Sequence, residues 1–133
     1  MNPRYSVVAP RAAHRCEYCH APECIFNFPF EVEHIVPETH QGPDEEFNWA
    51  LACRSCNLSK SNHLTGVDDA TGSDVRLYHP RLDSWADHFL ADAASGEIQG
   101  RTAIGRASVG RLRMNSPAQV EARRVWTRLG LFP

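Results

Sequence analysis

Two Cys-x-x-Cys pairs, Cys16–Cys19 and Cys53–Cys56, constrain this chain more than any other feature. Each two-residue spacer lets one turn present two sulfurs to one ion, and zinc takes four such ligands in a tetrahedron. A four-thiolate shell leaves no position open, so the expected Zn²⁺ is structural. It would close a large loop and tie together both ends of whatever lies between the pairs, a useful staple in a chain of 133 residues. A redox dithiol or four buried thiols are the competing readings, and two evenly built pairs favour zinc over both. His20 is an alternative ligand that nothing requires. The chain has five cysteines, an odd number that argues against a complete disulfide framework. Cys24 is left over and reads as a small buried hydrophobe.

Between the pairs the pattern changes period. Phe30, Val32, His34 and Val36 share one parity, and Glu31, Glu33 and Ile35 the other, which predicts a short strand ended by Pro37. Gly42-Pro43 marks a polar loop. Asn48 to Cys53 is short and apolar and predicts a second, antiparallel strand. A helix is expected from Arg54 or Ser55 to about His63, with Ser55 as its N-cap. The order is strand, loop, strand, helix.

The stretch Glu33-His34-Ile35-Val36-Pro37, then Asn48, then Cys-x-x-Cys-Asn57-x-x-Lys60, resembles the HNH endonuclease family, the ββα-metal nucleases. The resemblance covers about Cys16 to His63. His79-Pro80-Arg81-x-Asp83-x-Trp85-x-x-His88-Phe89 and Gly105-Arg106-Ala107 resemble the tail of a bacterial HNH subgroup. The resemblance implies an α+β fold, a small zinc-stabilised ββα-metal core with a C-terminal, arginine-rich helical extension. It implies a phosphodiester hydrolase that leaves a 5′-phosphate and a 3′-hydroxyl. His34 is then the general base, Glu33 and Asn57 bind a catalytic cation, and Asn48 braces the loop and the His34 backbone. Lys60, one turn beyond Asn57, is free to contact phosphate.

Elementary chemistry supports those residue types. Phosphodiester hydrolysis needs a base for water and a cation for charge developing on the leaving oxygen. An imidazole titrates near ~6.5, so much of it is neutral at working pH. A carboxylate and an amide oxygen are hard ligands suited to Mg²⁺ or Mn²⁺. The family often carries Asp where this chain has Glu33, and often His where it has Asn57. Successive strand residues point to opposite faces, so Glu33 and His34 can meet one substrate only if the strand twists or ends there.

Outside this stretch the sequence says less. Residues 1–14 read as an irregular lead-in broken by Pro3 and Pro10, and residues 65–73 as a turn-rich linker. Glu97 to Gly100 suggests one strand of a hairpin. Thr102 caps an expected helix to Asn115, with Ile104, Ala107, Val109 and Leu112 inward. Ser116-Pro117 opens a last helix ending near Gly130. We expect a nuclease core over 1–66 and an extension over 67–133.

From Gln99 onward there are seven arginines and one acid, which leaves 14 − 7 = 7 bases and 16 − 1 = 15 acids for the rest. A basic tail on an acidic body suggests a polyanionic partner, with Arg106, Arg113 and Arg124 tracking phosphates of DNA, most simply double-stranded. The N-terminus lacks a signal-peptide core, so a cytoplasmic setting is expected. A homodimer or larger assembly is compatible with the sequence. Two other functions stand beside the endonuclease: a catalytically inactive, zinc-stabilised nucleic-acid-binding module, and a redox protein using its Cys-x-x-Cys pairs.

Overall fold

The computed structural model describes residues 2–133; Met1, the first residue of the expected lead-in, lies outside them. The fold is α+β, built from three two-stranded antiparallel sheets, short helices and a buried four-cysteine cluster. The central unit is β1 (Glu31–His34), β2 (Trp49–Ala52) and a helix at Arg54–Lys60. β1 pairs with β2 in the register Glu31 with Ala52, Val32 with Leu51, Glu33 with Ala50 and His34 with Trp49. Ala50, Leu51 and Ala52 are all fully buried, so β2 is covered on both faces.

The lead-in is not irregular. Tyr5–Arg11 forms α1, with Pro10 inside it, and the Arg54–Lys60 helix is therefore α2. Local propensity argues against α1, but Val8 and Ala9 are fully buried in the core with the strands. Glu23 anchors the segment that follows. Its carboxylate accepts from the Tyr5 hydroxyl at 2.7 Å, the His14 ring at 2.8 Å and the Phe30 N–H at 2.7 Å. Burial pushes this carboxyl up, but those three hydrogen bonds outweigh it and hold it below the usual carboxylate range.

The expected linker at 65–73 is also structured. β3 (Thr65–Val67) and β4 (Asp74–Arg76) form a hairpin, so the boundary expected at 66/67 falls within a strand. Its turn is built on Asp68, fully buried, which accepts from Ala70 N–H, the Thr71 hydroxyl and Arg106. A one-turn helix, α3 (Trp85–His88), runs straight into β5 (Phe89–Ala91), which pairs with β6 (Ile98–Gly100). The chain closes with α4 (Ala103–Arg111), capped by the Thr102 hydroxyl on Gly105 N–H, and α5 (Pro117–Arg128), with Pro at its first turn. Gly105 lets α4 approach: a Cβ there would stand 2.0 Å from the His88 carbonyl oxygen.

One hydrophobic cluster joins both halves. Phe30, Ile35 and Leu51 from the centre pack in it with Tyr78, Phe89, Ile98, Leu112, Trp126 and Phe132 from the extension. No helix of the described residues is long and apolar enough to cross a membrane.

Candidate functional site

The four cysteines converge. Their sulfurs all lie within 4.8 Å of one another and all four residues are buried. Tetrahedral zinc with ~2.3 Å bonds to sulfur places its ligands about 3.8 Å apart. Cys19 Sγ and Cys53 Sγ are 3.7 Å apart, far too distant for a disulfide and right for two ligands of one ion. Hydrogen bonds from Cys16, Cys19 and Cys56 hold the Cys53 thiol far below its usual range. Cys53, not Ser55, caps α2, its sulfur accepting from Cys56 N–H at 3.4 Å. His20 stacks on Trp85, ring centroids 4.1 Å apart, and takes no part in the cluster. Cys24 is exposed rather than buried, because it sits on the outer side of a single 3-10 turn, Glu23–Ile25.

The first knuckle reaches directly into the central strands. Glu17 accepts from Leu51 N–H at 2.8 Å and pairs with Arg81. Tyr18, fully buried, donates its hydroxyl to Glu33 Oε1. Burial, reinforced by Glu33, pushes the Tyr18 hydroxyl well above its ordinary value, so it keeps its proton and donates.

Glu33 and His34 lie on opposite faces of β1, as strand alternation requires. Glu33 faces inward and is 9% exposed. Its other oxygen, Oε2, accepts from Lys60 Nζ at 3.0 Å. Burial pushes the Glu33 carboxyl up, against the pull of Lys60 and Tyr18 in the other direction. Lys60 is 2% exposed, and its ammonium also donates to the carbonyls of Ile35 (2.8 Å) and His34 (3.3 Å). The expectation that Lys60 meets a phosphate is therefore corrected. It lies at the end of a seven-residue helix whose last turn packs onto the strand, and three acceptors there hold its charge inside.

His34 faces outward at the end of β1, with its side chain 20% exposed. Its Nε2 lies 3.0 Å from Asp44 Oδ1, and the exposed Glu38 carboxylate stands 3.6 Å from the same nitrogen. Asp44 also accepts from Trp49 Nε1 at 2.9 Å and from Arg4 Nη2 at 2.6 Å. Arg4, His34 and Trp49 together hold its carboxyl low, at about 2. Sequence reasoning did not single out Asp44. Its one signal is position, directly after Gly42-Pro43 in the loop that must return past His34.

That loop is braced by Asn48, which is 1% exposed. Its Oδ1 accepts from Val36 N–H at 2.9 Å, and its Nδ2 donates to the carbonyls of Val36 (3.0 Å) and Pro43 (2.8 Å). Gly42 lies so close beneath that a Cβ would stand 1.7 Å from the Val36 carbonyl oxygen. Asn57 is half-buried midway along α2, and its side-chain amide has no hydrogen-bond partner among the described residues.

Three arginines of the extension, Arg106, Arg111 and Arg123, serve as internal scaffolding. Arg106, expected on phosphate, instead forms a two-pronged pair with buried Asp68, Nε to Oδ1 at 2.7 Å and Nη2 to Oδ2 at 3.1 Å. A buried carboxylate requires a partner, and Arg106 is the cation within reach. Arg123 is buried, donating to the carbonyls of Gly96 and Met114. Arg111 donates to the Thr65 carbonyl at 3.0 Å. Arg113 and Arg124 are exposed.

Residues 16–63 match the family model described as HNH endonuclease. No curated protein and no solved structure gives a match. The match begins at the first Cys-x-x-Cys pair, takes in both central strands and α2, and ends just past Lys60. This chain carries an HNH endonuclease domain over residues 16–63, with a buried four-cysteine cluster that fits a structural zinc.

Proposed function

We propose that the protein is a metal-dependent endonuclease that hydrolyses phosphodiester bonds of DNA. The observation that carries this reading is the HNH match over the segment that sets His34, outward and half-buried, at the end of β1 beside the four-cysteine cluster. In this reading His34 takes a proton from the attacking water. General-base catalysis of this kind supplies roughly 10²- to 10⁴-fold. Asn48 holds the loop that faces the imidazole.

Glu33 and Asn57 are proposed to hold the divalent cation, Mg²⁺ or Mn²⁺. Their oxygens suit a hard ion in kind. When bound, the cation supplies charge to the phosphate and the leaving oxygen. The fit is conditional, since Tyr18 and Lys60 already occupy both oxygens of Glu33. A cation there would share Oε2 with the Lys60 ammonium or displace it. Exposed Arg113 and Arg124 are the extension's proposed phosphate contacts.

The test is a plasmid nicking and cleavage assay across divalent ions, with His34→Ala and Asn57→Ala as controls. Cleavage that depends on metal and on His34 supports the reading. Full cleavage by His34→Ala removes the base.

The occupied Glu33 carboxylate favours a second reading, a zinc-stabilised nucleic-acid-binding module without turnover. Salt-sensitive DNA binding with no cleavage under any divalent ion would select it.

A further inference from the structure

Asp44 joins the side chains of three residues from three parts of the chain at one carboxylate. Arg4 directly precedes α1, His34 ends β1, and Trp49 opens β2. Each donates to this one carboxylate, Trp49 and His34 to Oδ1 and Arg4 to Oδ2. The Arg4 guanidinium also lies over the Trp49 ring, 5.3 Å from its centroid, which steadies two of the three donors. Asn48 and Gly42 fix the loop that delivers Asp44 to this point.

An ionised carboxylate has no proton to give, so in the Asp44–His34 contact the hydrogen sits on Nε2. A neutral imidazole with its proton on Nε2 keeps its lone pair on Nδ1. Among the described residues His34 Nδ1 has no hydrogen-bond partner, and the side chain reaches solvent. The basic nitrogen is thus the one left free for water.

We propose that Asp44 is the positioning residue for His34, fixing the Nε2–H tautomer and ring orientation and stabilising the imidazolium formed during the reaction. This rests on the reading of His34 as the base. As the water oxygen bonds to phosphorus, its proton moves to Nδ1. The bond from phosphorus to the leaving 3′-oxygen breaks, that oxygen takes a proton from solvent, and Nδ1 later returns its own to solvent. Asp44 gains no proton at any stage. The same logic of a carboxylate orienting a basic histidine recurs on unrelated folds. Here the exposed Glu38 carboxylate, 3.6 Å from Nε2, is too loosely placed to substitute.

The experiment compares wild type with Asp44→Asn and Asp44→Ser in the zinc-loaded protein, by ¹⁵N NMR of the His34 ring and by DNA cleavage kinetics. Wild type is expected to show one neutral tautomer, protonated at Nε2. Both variants are expected to show mixed tautomers, with kcat down roughly tenfold to a hundredfold and KM little changed, a smaller loss than removal of the base itself. A wild-type ring spectrum and wild-type kcat in both variants would reduce Asp44 to a pin for the loop and overturn the proposal. Full activity in His34→Ala is a different result: it removes the base, whereas normal kinetics in Asp44→Asn with an inactive His34→Ala removes the positioning role alone.

Discussion

Lys60 Nζ lies 3.0 Å from Glu33 Oε2, and both side chains are withdrawn from solvent, 2% and 8% exposed. This pair ties the end of α2 to β1, and through the Tyr18 hydroxyl it also reaches the turn between Cys16 and Cys19. Breaking such a pair strands a buried charge and typically costs about 3–5 kcal/mol. Lys60→Met and Glu33→Gln are each expected to destabilise the protein by that order in denaturant unfolding. The double variant should lose clearly less than the sum, because neither charge is then left alone. Near-wild-type stability of Lys60→Met would show that the pair is not formed in solution.

Zinc removal is expected to unfold the central unit. Structural zinc in small modules contributes on the order of 10 kcal/mol at neutral pH, against a total domain stability of roughly 5–15 kcal/mol. One zinc per chain, native thiols protected from alkylation, and loss of near-ultraviolet dichroism on chelation are the expected results. Freely titrating thiols in the folded protein would point instead to the redox reading.

His34→Ala should abolish cation-dependent cleavage, by about 10²-fold or more, with its melting temperature close to wild type. The side chain is at the surface end of β1 and fills no part of the buried cluster. Differential scanning calorimetry beside the nicking assay separates lost chemistry from lost fold.

The arginines divide by location. Arg113→Ala and Arg124→Ala are expected to leave stability within about 0.5 kcal/mol and, where they touch DNA, to lower the salt slope of binding by ~1 each. Arg106→Ala should instead destabilise, since it leaves the fully buried Asp68 without its cation. Fluorescence anisotropy at several salt concentrations, with a melt of each variant, distinguishes the two groups.

Acid should weaken the fold through Asp83. Arg76 grips its carboxylate with two nitrogens, 2.8 and 2.9 Å away, and together with the His79 N–H holds it low, at about 2. A carboxyl depressed in the folded state gives stability that is full above the unfolded value of ~3.9 and is lost as pH falls through the folded one. Stability should therefore decline between roughly pH 4 and pH 2. Asp83→Asn should flatten that decline, measured as the denaturation midpoint against pH with zinc occupancy monitored in parallel.

The convergence of the two cysteine pairs, the strand–loop–strand–helix order and the extension's last two helices were legible in the sequence because each rests on local signals. Cysteine spacing, period-two alternation, Gly42-Pro43, the Thr102 cap and Pro117 in the first turn of α5 lie within a few residues of what they control. α1 and the β3–β4 hairpin were not legible. α1 forms against its proline because Val8 and Ala9 are buried in the core, and the hairpin turn is held by Arg106, 38 residues away from Asp68.

The site divides in the same way. The sequence by itself determined which residue types stand near the end of β1 and that Glu33 and His34 must alternate. Only the tertiary structure decided that Lys60 is spent inside on Glu33, that Arg106 serves Asp68, and that Asp44 meets His34. The physical reason is that a charged side chain is free or engaged according to its burial and the acceptors within about 3 Å. Those neighbours come from distant points in the chain, so spacing does not encode them.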